Sequence, residues 1–84
     1  MRQNPEIEAS ELNDELLLFN ASTNKFFVMN PTAAFVWERT KQPIDEQEIA
    51  SALFAHFNGT TREQVLDDVK GTLKHMQELG LLLQ

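Results

Sequence analysis

Apolar residues change their rhythm once along this chain. As far as Met29 they come in short runs or in loose alternation with polar residues; beyond Pro31 they return every third or fourth position. Alternation and short apolar runs bounded by turn residues belong to strands, whereas three-and-four spacing belongs to helices with one buried face. Residues 6–12 alternate, with Ile7, Ala9 and Leu12 as the apolar set, and stop at Asn13-Asp14, a pair that favours turns. Residues 15–20 hold Leu16-Leu17-Leu18-Phe19 between polar ends. The polar loop Asn20-Ala21-Ser22-Thr23-Asn24 then leads into residues 25–29, the aromatic and β-branched run Lys25-Phe26-Phe27-Val28-Met29. These segments predict a three-stranded antiparallel meander.

Asn30-Pro31 ends the last strand abruptly. Asn accepts hydrogen bonds from the free amides of a first helical turn, and Pro has the fixed φ and missing N–H that suit the first helical position. A helix is therefore expected over 31–41, with Ala33, Ala34, Val36 and Trp37 at helical spacing and a stop near Lys41-Gln42-Pro43. A second is expected over 45–58. Asp45 and Glu48 form a capping box, Ile44 can staple onto Ile49, and Ile49, Ala52, Leu53 and Phe57 share a face before Asn58-Gly59 closes the helix. Thr60 and Glu63 open a third over 61–79, in which Leu66, Val69, Leu73, Met76 and Leu79 draw an apolar line towards Gly80. Leu81-Leu82-Leu83 follows as a tail folded back on the core.

Strands first and helices after imply an α+β domain. The tight link between the second and third helices has helix-turn-helix proportions, and a small sheet beside it completes a winged helix-turn-helix outline. Residues 1–84 make one domain, since 84 residues lie only slightly above the roughly 70–80 at which a single unstapled core becomes marginal. Cys is absent, which removes disulfides, thiolate metal sites and a cysteine nucleophile and fits a reducing cytoplasm. The longest apolar runs are far short of a membrane span, and the first residues lack the apolar core of a signal peptide. A cytoplasmic location without membrane contact is expected.

Charge narrows the partners. The formal net charge is −6, which repels phosphate backbones and anionic lipid alike. Glu6, Glu8, Glu11, Asp14 and Glu15 crowd the first strands, and Asp45, Glu46 and Glu48 crowd one helix start; between Lys25 and Lys41 the bases Lys25, Arg39 and Lys41 face Glu38 alone. A recognition helix for DNA carries several bases towards phosphates, but the third helix sets Arg62, Lys70 and Lys74 against Glu63, Asp67, Asp68 and Glu78. Nucleic acid is not the expected partner, and a winged-helix DNA regulator is only the alternative reading.

Catalytic chemistry is not visible. No phosphate loop, dinucleotide turn or nucleophile elbow occurs. His56 and His75 lie on different helices without a carboxylate at ligand spacing, so neither a metal nor another cofactor is expected. Adjacent helical residues point about 100° apart, so Asp67 and Asp68 do not face each other as a catalytic pair. The chain is not expected to be an enzyme.

What stands out instead is the strand 25–29. By alternation Lys25, Phe27 and Met29 share one face and Phe26 and Val28 the other, so both faces carry apolar bulk. One face is core. The other is either covered by the third helix or the C-terminal leucines, or lines a groove at an open sheet edge, where an extended peptide can add as a further strand. The third helix offers such a groove a mixed rim in Val65, Asp68, Thr72 and His75.

In order and spacing, several features together resemble the PqqD-like family. They are the run from Leu16 through Asn24-Lys25-Phe26-Phe27-Val28-Met29-Asn30-Pro31, the Ala-x-x-x-Trp after it, the capped second helix and the terminal Leu79-Gly80-Leu81-Leu82. Its members are RiPP recognition elements, small domains that bind the leader peptides of ribosomally made natural-product precursors. The resemblance spans roughly residues 6–83 and is nearest to stand-alone lasso-peptide leader-binding proteins. It implies a leader peptide adding antiparallel to the strand Lys25, Phe26, Phe27, Val28 and Met29, with Val65, Asp68, Val69, Thr72 and Met76 as the helix wall. It also implies a leader peptidase, a cyclase or another modifying enzyme as partner. The nearest rival is the pyrroloquinoline-quinone type, a peptide chaperone for a radical enzyme.

Overall fold

In chain order the elements are β1 (Arg2–Gln3), β2 (Ile7–Leu12), β3 (Glu15–Asn20), β4 (Lys25–Met29), α1 (Pro31–Arg39), α2 (Glu46–His56), α3 (Arg62–Glu78) and β5 (Leu82–Leu83). The structure, a computed structural model, describes every residue except Asp14, Pro43, Asn58 and Gln84. The turn expected at Asn13-Asp14, the stop at Lys41-Gln42-Pro43 and the closure at Asn58-Gly59 each include a residue outside the described ones.

The meander is antiparallel in the order β2-β3-β4, and the three helices follow it, so the α+β winged helix-turn-helix class holds. Alternation along β3 decides how the sheet sits: Leu16, Leu18 and Asn20 are buried, while Leu17 and Phe19 lie half-buried on the opposite face. The register carries this into β4. Leu18 faces Phe27 and Leu16 faces Met29 on the core side, and Phe19 faces Phe26 and Leu17 faces Val28 on the outer side. The Phe19 and Phe26 rings sit with centroids 4.6 Å apart. The buried Asn20 is satisfied by the hairpin itself, its Oδ1 accepting from the Ser22 and Thr23 amides.

Helix starts follow the capping chemistry. Asn30 Oδ1 accepts from Ala33 N at 2.8 Å with Pro31 in the first helical position, and Asp45 Oδ1 accepts from Glu48 N at 2.8 Å. The third cap is shifted by one residue from expectation: Thr61, not Thr60, accepts from Gln64 N. The first helix stops at Arg39 rather than at 41, because the Thr40 hydroxyl turns back onto the Trp37 carbonyl at 2.6 Å and Gln3 Nε2 donates to the same oxygen at 2.9 Å. The second ends at His56, with Phe57 already extended. On α3 the buried line is Val65, Val69, Leu73 and Met76.

The C-terminal leucines do more than fold back. Leu82 and Leu83 pair antiparallel with Gln3 and Arg2, and Asn4 donates from its backbone to Leu81 O and from its side chain to Gly80 O. Two-residue strands have no periodicity, so only the partner reveals them. The core joins Leu16, Leu18, Val36, Trp37, Ile49, Leu53, Leu81 and Leu82 to that α3 line.

Leu18 is completely buried, so Leu18→Ala is expected to lower the unfolding free energy by about 2–5 kcal/mol. Asn30→Ala, which removes only a cap, should cost about 1 kcal/mol. Urea denaturation at unchanged m-value measures both.

Candidate functional site

β4 has β3 on one side and no strand on the other among the described residues. Its open edge runs along a cleft of about 880 Å³. One wall is Phe26, Phe27, Val28, Met29 and Asn30; Thr32 and Ala33 of α1 close one side; Asp67, Asp68, Gly71, Thr72, His75 and Met76 of α3, with Leu79 just past its end, form the other wall. The direct Asn30-Pro31 junction makes this arrangement, because it brings the first turn of α1 to the end of the edge strand without a loop between them.

Phe26 is 69 % and Val28 59 % exposed, so neither α3 nor the C-terminal leucines cover them. Phe27 and Met29 are half-buried and pack against the core. The edge strand is therefore held from one face and along one ladder only. Its remaining backbone groups are available for pairing, as edge strands generally are.

The α3 wall follows from helical geometry. With about 100° per residue, a helix that buries Val65, Val69, Leu73 and Met76 must turn Asp68, Thr72 and His75 to the neighbouring face, with Gly71 further round the helix at the outer rim, and all four border the cleft. Gln64 Nε2 donates to Asp68 Oδ1 at 3.0 Å and holds that carboxylate in place. Gly71 stands mid-helix with open space where a Cβ would be; glycine there is about 1 kcal/mol less favourable than alanine.

Of the residues singled out from sequence, the cleft brings together Phe26, Phe27, Val28, Met29, Asp68, Thr72 and Met76. It does not include the other three. Val65 and Val69 are 3 % and 0 % exposed and belong to the core, because Val65 lies only about 40° from Val69 around the helix and so faces inward with it. Lys25, exposed opposite Asn20 at the far end of the strand, stays outside the lining. Asn30, Thr32, Ala33, Asp67, Gly71 and Leu79 line the cleft without being singled out by the sequence, and His75, expected on the rim, lines it too. The signal was present for two of them: stepping three or four residues from Asp68 and His75 along the rim reaches Gly71 and Leu79.

Among the described residues no group of His, Asp and Glu could hold a metal ion. His56 is stacked on Phe35 with centroids 5.0 Å apart, away from the cleft lining. No described helix is long and apolar enough to cross a membrane.

The pattern of the family described as "Coenzyme PQQ synthesis protein D (PqqD)" matches residues 15–82, a span from the central strand to β5 that takes in the whole cleft. The chain belongs to the PqqD family. Two solved structures share the fold of this PqqD-family chain. One is described as "TbiB1 in Complex with the TbiA(beta) Leader Peptide", with TM-score 0.88, 21 % identity and coverage of 98 % of this chain and 94 % of that one. The other is described as "Lasso peptide synthetase B1 complexed with the leader peptide", with TM-score 0.89, 20 % identity and coverage of 99 % and 96 %. No curated protein matches the chain.

Since Phe26 is 69 % exposed and its ring is paired with that of Phe19, Phe26→Asp is expected to change the unfolding free energy by only about 1 kcal/mol. A loss as large as that of Leu18→Ala in the same denaturation experiment would show that the edge strand is part of the core.

Proposed function

We propose that this domain is a non-catalytic module that captures the leader region of a ribosomally synthesised precursor, of the lasso-peptide kind, by strand addition to β4. The supporting observation is the open, apolar edge of β4 facing the α3 wall across a cleft. The family match and the two look-alikes, both solved with a leader peptide, lend the reading its ligand. Main-chain hydrogen bonds from an added strand supply affinity without regard to sequence, and the side-chain pockets along the cleft supply register. Asp67 and Asp68 on the opposite wall disfavour a phosphate backbone there.

The module adds no bond-making step of its own. Holding the leader near a peptidase or cyclase raises the effective concentration of precursor at that enzyme. The family's association with coenzyme PQQ synthesis favours a second reading, in which the captured peptide is a pyrroloquinoline-quinone precursor and the partner a radical enzyme. The two readings share the cleft and differ in the peptide it prefers.

A synthetic leader segment of a lasso-peptide precursor is the ligand to titrate by calorimetry. Burying one aromatic or aliphatic anchor contributes roughly 1.5–3 kcal/mol, so removing one should weaken binding about 10- to 150-fold. Phe26→Asp is expected to show such a loss, and Val28→Pro, which removes an amide and narrows the edge, to abolish binding. Either variant, still folded by circular dichroism and binding as tightly as the parent, would rule out strand addition to β4.

A further inference from the structure

We propose, building on the reading of the cleft as a peptide site, that Gly71 is a notch in the α3 wall that seats one bulky apolar or aromatic side chain of the added strand and so sets its register. Glycine is a poor residue for the middle of an exposed helix, because it loses more backbone freedom on folding than any other and has nothing to pack. Reasons internal to the chain for keeping it are missing. Positive φ among the glycines is confined to Gly59 and Gly80, so Gly71 needs no left-handed conformation. A Cβ built on it meets no heavy atom within 4 Å, so no neighbouring element requires the space.

That space opens into the cleft. Asp67 and His75, one helical turn before and after Gly71, also border the cleft, which puts the gap midway along the outer rim of the wall between two polar side chains. Met76, nearly fully buried, contributes an apolar surface to the same cleft. The inner face of the sheet carries Leu16 and Leu18 towards the helices. A strand added beside β4 continues that face, so every second side chain of the peptide points to the helical layer. A gap of one side chain in the wall admits one of these, and its neighbours two residues away meet Asp67 or His75 instead. An alanine-sized residue would leave the notch empty; a large apolar one fills it.

The test selects peptides on the wild-type protein from a random display library and measures the winners by fluorescence anisotropy against wild type, Gly71→Ala, Gly71→Leu and Val28→Pro. Each free protein is also melted. Both Gly71 variants should melt no lower than wild type, since Ala and Leu are better helix formers. The selected peptides should share a bulky apolar residue at one position and bind Gly71→Leu at least about tenfold more weakly, as overpacking a filled site requires. Shortening that peptide residue to Ala should weaken binding to wild type and leave binding to Gly71→Leu unchanged. Peptides that lose binding to Val28→Pro but bind both Gly71 variants within about twofold of wild type overturn the notch and leave the edge site standing. Peptides indifferent to Val28→Pro as well overturn the strand-edge reading with it.

Discussion

Leu16 and Leu18 are the buried apolar residues of the meander, and both belong to its middle strand. The sheet is therefore fixed to the helical layer along one line, with each such leucine contributing roughly 1.5–3 kcal/mol of burial. β2 and β4 hang from that line by their ladders. β2 adds only the half-buried Ile7, and β4 adds Phe27 and Met29. A sheet anchored mainly through its central strand leaves the edges of β2 and β4 unpaired, and one of those edges becomes the wall of the cleft.

The two edges are treated differently. β2 presents Glu8, Ser10 and Glu11 to solvent, and charge on an edge discourages further pairing. β4 presents Phe26 and Val28 and carries its charge only at Lys25, at the hairpin end. An exposed apolar edge is an aggregation hazard, so its presence in a small acidic domain needs a reason. The proposed peptide strand, by completing the sheet, would supply that reason.

α3 works on two faces at once. Its inner line joins the core, and the adjoining face supplies the second wall of the cleft. The distance between the walls stays defined because the end of α3 is tied down. Gly80, at φ 77°, reverses the chain so that β5 can pair with β1, while Asn4 and Gln3 reach Gly80, Leu81 and Trp37 through hydrogen bonds. The two termini thus brace the helices that flank the site.

Sequence alone determined the types and order of the three meander strands and the three helices, because these rest on period and local capping chemistry that neighbouring residues carry within themselves. The Asn30-Pro31 junction, the Asp45 cap and the alternation along 25–29 are of this kind. Tertiary structure decided the rest. Whether Phe26 and Val28 were covered depended on where α3 and the C-terminal leucines lie, and those leucines pair with Arg2 and Gln3, which no period announces. Val65 joined the core and Gly71 the cleft because the direction in which a helix turns its faces is set by what it packs against, and an apolar stripe alone leaves its borders open by a residue on either side.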